Sequence, residues 1–146
     1  MTFGQTVMPM ELSMDVANIM STHVVSVELD DTLAVVKEIF ENLKFHHLLV
    51  LDEGKLLGVI SDRDLLKALS PNLGSNIECY KDIATLNKRV HQVMTRHPIV
   101  LDQRASVADA VALFNTNRIS CIPIVDEAGK PVGIVSWRDV LKNLLL

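Results

Sequence analysis

The chain has 146 residues with a formal net charge of −4 and a pI near 5.7. This acidic balance argues against binding to nucleic acid, which would need a basic face. Hydrophobic residues make up 49% of it and aromatic residues only 4%, which predicts a core of aliphatic side chains. No apolar run is long enough to span a bilayer, and the N-terminus lacks the pattern of a signal peptide. Cys79 and Cys121 form no Cys-x-x-Cys pair, so we expect a cytoplasmic protein that contacts neither membrane nor nucleic acid.

An internal repeat begins at Val16. A shift of 74 residues aligns Met20 with Met94, and a shift of 75 residues aligns Gly58 with Gly133. The extra residue of the second copy falls in a turn, where insertions disturb a fold least. The predicted organisation is an N-terminal lead-in (1–15), a first repeat (16–69), a connector (70–89) and a second repeat (90–146).

Two of these segments have little periodicity. The lead-in is either loosely ordered or an arm that packs on a neighbour, and both interpretations stay open. The connector predicts a short helix over residues 82–89 and is interpreted as a solvated spacer, with a partner surface as the alternative.

Both copies predict the element order β-α-β-β-α. Thr32 and Ser106 are the expected N-caps of the first helix in each copy. Apolar runs predict buried strands over residues 47–51 and 121–125, each followed by a turn and a second strand. Pro123 cannot donate a hydrogen bond to a ladder, so its strand is expected to be an edge strand or to start irregularly.

A seven-residue motif ends the second strand of each copy. It reads Gly-Val-Ile-Ser-Asp-Arg-Asp at residues 58–64 and Gly-Ile-Val-Ser-Trp-Arg-Asp at residues 133–139. Ser followed three residues later by Asp predicts a capping box at the start of a helix. The Arg between them is suited to phosphate, and the Asp can accept hydrogen bonds from sugar hydroxyls. The motif predicts an anion-binding corner in each repeat.

Two β-α-β-β-α copies, each ending in this Ser-x-Arg-Asp corner, resemble a tandem pair of CBS domains, the module named after cystathionine β-synthase. The second repeat also has the Ile-Pro-Ile-Val-Asp strand of that family at residues 122–126, whereas the first has Leu-Leu-Val-Leu-Asp at 48–52. The resemblance implies an α+β fold in which two CBS repeats pack as a pseudo-two-fold pair. It also implies two clefts for adenosine-containing ligands such as AMP, ADP, ATP or S-adenosylmethionine.

The resemblance also implies which residues form the clefts. Each cleft joins the motif of one repeat to the lead-in strand and the strand start of the other. One is lined by Ser61, Arg63, Asp64, Pro98, Ile99, Ser120 and Cys121. The other is lined by Ser136, Arg138, Asp139, Val24, Val25, His46 and His47. The ribose would lie on the motif Asp, the phosphates near the Ser and the Arg, and the adenine ring among the apolar members.

Simpler explanations exist for several of these residues. The Ser and Asp pairs could serve only as helix caps. His46 and His47 are adjacent on a strand and point to opposite faces, so we expect no metal site. Trp137 could stack on a ligand or cover a contact between subunits.

No nucleophile elbow, P-loop or zinc-ligand spacing is present, and no second domain is left over. We therefore expect a stand-alone regulatory module without a required cofactor, and not an enzyme. It would form a homodimer and act on an unidentified regulated protein. The alternative is an assembly module that binds no ligand.

Overall fold

The computed structural model describes residues 10–144. Residues 1–9 of the predicted lead-in and residues 145–146 of the second repeat lie outside this range. Both repeats have the predicted element order, and the expected α+β class is confirmed. Within the described range, no helix is long and apolar enough to cross a membrane.

Helices and strands alternate as the two sequence copies predict. The elements up to the connector are α1 (Met10–Ser13), a 3-10 turn (Val16–Asn18), β1 (Ser26–Glu28), α2 (Leu33–Asn42), β2 (His47–Asp52), β3 (Lys55–Ser61) and α3 (Asp62–Ala68). The later elements are α4 (Tyr80–Ala84), 3-10 turns (Thr85–Asn87 and Val90–Gln92), β4 (Thr95–Arg96), β5 (Leu101–Asp102), α5 (Val107–Thr116), β6 (Cys121–Val125), β7 (Pro131–Ser136) and α6 (Trp137–Leu144).

The chain forms two compact units, and neither consists of one repeat alone. The first-repeat unit runs from Val24 to Pro98, and the second-repeat unit combines the residues up to His23 with those from Ile99 onward. The sheet of the first-repeat unit has the order β1-β2-β3-β4, and that of the second-repeat unit has the order β5-β6-β7. In each sheet the first pair is parallel and the following pairs are antiparallel.

Each unit is completed by the opening segment of the other repeat, residues 16–23 of the first repeat and residues 90–98 of the second. In the first-repeat unit, the N–H of Val90 donates to the carbonyl of Asp31 at 2.9 Å, and β4 pairs with β3. In the second-repeat unit, Ser21 and Ile134 exchange backbone hydrogen bonds of 2.9 and 3.0 Å. Val16 and Val90 are fully buried, each in the core of the unit that holds the other repeat. The opening segments of the repeats are therefore structural parts of these cores.

The glycine that opens each motif permits this pairing. A Cβ at Gly58 would lie 2.7 Å from the carbonyl oxygen of Thr95, and a Cβ at Gly133 would lie 2.8 Å from Cγ of Met20. A larger residue at Gly58 would require the backbone of β4 to move, and one at Gly133 would require the Met20 side chain to move away. The Met and Gly residues that align the two copies thus contact each other, Met94 with Gly58 and Met20 with Gly133.

Both cores are aliphatic, as the composition predicts. The buried cluster of the first-repeat unit comprises Val27, Leu33, Val36, Leu48, Val50, Ile60, Leu65, Val90 and Met94. The buried cluster of the second-repeat unit comprises Val16, Ile19, Val107, Ala110, Phe114, Ile122, Ile124, Val135 and Val140. The predicted N-caps of α2 and α5 are confirmed, because the side chains of Thr32 and Ser106 accept hydrogen bonds from the third residue of each helix.

Of the two alternatives for the strand of Pro123, the edge position is wrong because β6 is the central strand of its sheet, and the irregular start is confirmed because pairing with β5 begins only at Ile124. Pro123 shortens the parallel ladder between β5 and β6. Leu49, the counterpart of Pro123, donates its N–H to the carbonyl of Val25 at 3.0 Å, and Pro123 has no N–H to give. The β1–β2 pairing starts with Ser26 opposite Leu49. The β5–β6 pairing accordingly starts one position later, with Leu101 opposite Ile124.

The connector is ordered around a buried carboxylate. Asp82 is 8% exposed. Its carboxylate accepts hydrogen bonds from the Ser70 hydroxyl at 2.6 Å and from the Cys79 N–H at 2.8 Å. These hydrogen bonds lower the pKa of Asp82. The helix predicted for residues 82–89 is shifted toward the N-terminus and consists of α4 and the 3-10 turn that follows it. It begins earlier than predicted because Asp82 caps it from the third helical position.

Replacing Gly58 by Ala tests the role of the motif glycine. We expect Gly58→Ala to destabilise the protein by about 1–3 kcal/mol, since β4 must move away from the new methyl group. Urea unfolding followed by circular dichroism measures the change. The exposed Lys55→Ala change on the same strand is the control and should stay within about 0.5 kcal/mol of the parent. A similarly small effect of Gly58→Ala would contradict the close approach.

Candidate ligand-binding site

The first-repeat motif forms a capped corner between β3 and α3. The hydroxyl of Ser61 accepts the N–H of Asp64 at 3.0 Å, and Oδ2 of Asp64 accepts the N–H of Ser61 at 2.9 Å. The two bonds satisfy two backbone donors that a helix start otherwise leaves unpaired. Both side chains are half-buried, which fixes their positions beside the strand end.

The second-repeat motif forms the same corner between β7 and α6. Oδ2 of Asp139 accepts the N–H of Ser136 at 2.8 Å, and the Ser136 hydroxyl lies 3.4 Å from the N–H of Asp139 and 3.1 Å from Oδ2. The predicted capping boxes are therefore present in both repeats. In each corner the Asp side chain makes its capping contacts through Oδ2, so Oδ1 can accept hydrogen bonds from a ligand.

The two motif arginines are exposed cations. Arg63 and Arg138 are both exposed, and neither is among the ion pairs formed within residues 10–144. A guanidinium without a carboxylate partner keeps its donors for an incoming anion. The arrangement therefore offers a cation, a hydroxyl and a carboxylate at each corner.

The start of β2 lies beside the first corner. His47 is paired with Ser61 in the β2–β3 ladder, and the N–H of Asp62 donates to the carbonyl of His46 at 3.0 Å. Nδ1 of His46 lies 2.9 Å from Oδ2 of Asp62. In the second-repeat unit the corresponding ladder pairs Cys121 with Ser136.

Burial governs the titration of His47. Burial lowers the pKa of this imidazole below its ordinary value of 6.5. The nearby carboxylates of Asp62 and Asp64 favour the charged form and raise the pKa, but the effect of burial is larger. The folded state therefore holds the neutral ring more strongly than the unfolded chain does.

The predicted cleft residues are divided between the two units. The first-repeat unit holds Val24, Val25, His46, His47, Ser61, Arg63, Asp64 and Pro98. The second-repeat unit holds Ile99, Ser120, Cys121, Ser136, Arg138 and Asp139. The structure brings each motif together with the strand start of its own repeat. Both predicted clefts draw on both units and remain predictions.

Two side-chain contacts at the corners were missed by sequence reasoning. Asp62 pairs with His46. The motif contains two acidic residues, and the sequence does not indicate which of them contacts the histidine. Trp137, which occupies the position of Asp62 in the second motif, packs on Phe114 with ring centroids 4.8 Å apart. The tryptophan thus has an intramolecular partner, a role that neither predicted alternative included.

Comparison with known proteins identifies the family. The sequence profile of the CBS domain matches residues 16–71 and 90–146. A CBS domain-containing protein of Dictyostelium discoideum is 32% identical over 132 residues, which cover 89% of this chain and 90% of that protein. The chain belongs to the CBS-domain family and contains two copies of the domain.

Solved structures show the same fold. CBSX2, a CBS-pair protein from Arabidopsis thaliana, has been solved in complex with AMP; it is 28% identical with a TM-score of 0.74, covering 90% of this chain and 96% of that one. The CBS domain pair of protein MJ0100, solved with 5′-methylthioadenosine and S-adenosyl-L-methionine, is 25% identical with a TM-score of 0.73, covering 89% of this chain and 94% of that one.

The lowered pKa of His47 predicts a loss of stability in acid. As the pH falls below the ordinary value of 6.5, the unfolded chain binds a proton more readily than the folded protein, so the free energy of unfolding decreases. Urea unfolding at about pH 7.5 and about pH 5.5 should show a smaller decrease for His47→Gln than for the parent. Equal decreases in the two proteins would contradict the assignment.

Proposed function

We propose that this CBS pair is a stand-alone cytoplasmic regulatory module that binds an adenosine-containing ligand at its two motif corners. The observation that carries the proposal is the shared geometry of the corners, each with a fixed Asp carboxylate and a motif Arg that has no acidic partner among residues 10–144. The adenosine-type ligands of the CBSX2 and MJ0100 structures support the same ligand class.

The roles of the residues follow from the family resemblance and the chemistry of their side chains. Asp64 and Asp139 would accept the ribose hydroxyls through Oδ1. Ser61, Ser136, Arg63 and Arg138 would hold the phosphates. The remaining lining residues are those that the resemblance implies, namely Val24, Val25, His46, His47, Pro98, Ile99, Ser120 and Cys121.

The proposed output is regulation without catalysis, and no resident cofactor is assigned. A ligand changes a protein's conformation only as far as it binds one conformation more tightly than another. Binding to the folded state alone also stabilises it, by about 2.7 kcal/mol when the ligand is present at about 100 times its dissociation constant. A change of this size is large enough to alter contact with a regulated protein.

Thermal unfolding with and without AMP tests the proposal. We expect saturating AMP to raise the melting temperature by roughly 5–10 °C. Asp64→Ala and Asp139→Ala should each weaken the effect, because each removes a charged acceptor, which corresponds to about tenfold or more in affinity. The double variant should show no rise.

The capping box of α5 provides a matched control. Asp109 accepts the N–H of Ser106 at 3.0 Å and lies outside the predicted clefts. Asp109→Ala therefore removes the same kind of cap, at a cost of about 1 kcal/mol, and should keep the full response to AMP. If the three variants respond alike, the motif Asp residues are caps only. If AMP, ADP, ATP and S-adenosylmethionine all leave the parent unchanged, the proposed ligand class is wrong.

The alternative function is an assembly module, and one observation favours an assembly role. Leu66 on α3 is 73% exposed and Leu141 on α6 is 52% exposed, and the two are matched positions of the repeat. An exposed leucine at the same position of the last helix in each repeat supplies apolar surface that can pack on another protein. We propose that these helices join two copies of the chain into a homodimer, whether or not a ligand binds.

Sedimentation velocity at about 20 µM tests the dimer. The parent should sediment as a dimer, and Leu66→Glu with Leu141→Glu should convert it to a monomer because a buried unpaired carboxylate is costly. Ile77→Glu is the control, since Ile77 is 71% exposed but lies on the connector. A monomeric parent would contradict the proposal.

A further inference from the structure

The two corners differ at one position of the motif. Asp62 stands between Ser61 and Arg63, whereas Trp137 stands between Ser136 and Arg138. The first corner therefore carries one more acidic group than the second, beside an otherwise identical set of Ser, Arg and Asp.

Contacts hold Asp62 at its corner. Oδ2 of Asp62 lies 2.9 Å from Nδ1 of His46, and the backbone N–H of Asp62 donates to the carbonyl of the same residue. The side chain of Asp62 is 46% exposed, so its charge acts partly through solvent. Its carboxylate is thus a positioned feature of the corner beside Arg63.

At the second corner this position holds Trp137, an uncharged side chain that contributes to packing. Trp137 packs against Phe114 and the core of its unit. Its strand neighbours are also without formal charge, since Ser120 and Cys121 occupy the positions of His46 and His47. A negatively charged ligand group at the second corner meets Arg138 without an additional carboxylate.

We infer that Asp62 is a specificity-determining residue, which makes the Ser61 corner favour an adenosine-type ligand with an uncharged 5′ group while the Ser136 corner accepts a 5′ phosphate. The inference rests on the proposed function and deepens it. Its physical basis is Coulomb repulsion, because a carboxylate at the same helix start as Arg63, which would hold the phosphate, lowers the affinity for a phosphate and leaves that for a neutral group almost unchanged.

Isothermal titration with AMP and with adenosine measures separately the affinity for a phosphate-bearing ligand and for its uncharged counterpart. The background is Asp139→Ala, so that the remaining binding comes from the Ser61 corner. Adding Asp62→Asn should raise the affinity for AMP about fivefold, as expected for one partly screened charge. The affinity for adenosine should change less than about twofold, since adenosine has no charge to be repelled.

Asp52→Asn in the same background is the matched control. It removes the same charge at the far end of β2, on the exposed residue Asp52, about 17 Å along the strand from His47. It should leave both affinities unchanged. Asp62→Ser provides a second variant of the corner that removes the charge and keeps a residue favoured at helix starts.

The outcomes distinguish this inference from the proposed function. A selective gain in AMP affinity with both Asp62 variants and not with Asp52→Asn supports the inference. Binding of AMP by the parent with no selective gain in the variants overturns the inference and leaves the proposed function standing. Absence of binding of both AMP and adenosine to the parent overturns both.

Discussion

The close backbone approach at Gly58 and Gly133 is the constraint on which the rest of this structure depends. A three-stranded sheet with two helices of two to three turns is too small to bury its own apolar surface. Each sheet here gains a further segment from elsewhere in the chain, β4 beside β3 and Ser21 beside Ile134. Those segments can reach the sheet only because the motif glycine has no side chain.

The same strands lead directly into the motif corners. One seven-residue motif thus serves two purposes, since its glycine admits the neighbouring segment and its Ser and Asp cap the helix that follows. The capping boxes hold the carboxylates at fixed positions through Oδ2. Folding and the proposed ligand binding therefore use different atoms of the same side chains, and the two roles do not compete.

The repeats are similar in backbone and different in chemistry. The first has Leu49 and Asp62 where the second has Pro123 and Trp137. The proline shortens one ladder because it lacks an N–H, and the tryptophan exchanges a charge for an aromatic contact with Phe114. These substitutions leave the fold intact because Pro123 still pairs with Ile134 of β7, and because Trp137, at the first position of α6, packs against the core of its own unit. They are positions where the two halves of a duplicated protein can acquire separate properties.

The sequence alone determined the element order, the caps and the motif corners. These are local features, set by the period of apolar residues and by the spacing of Ser and Asp, which act over a few residues. It also predicted an aliphatic core from composition.

The tertiary structure decided which segments complete each unit, the central position of β6 and the pairing of His46 with Asp62. Each of these depends on contacts between residues that are far apart in sequence, such as Val16 with the core around Phe114. Periodicity reports which face of an element is buried but not which partner covers it. For that reason the exchange of segments between the units could not be read from the repeat, although Met94 and Gly58, the residues that carry it, were already aligned.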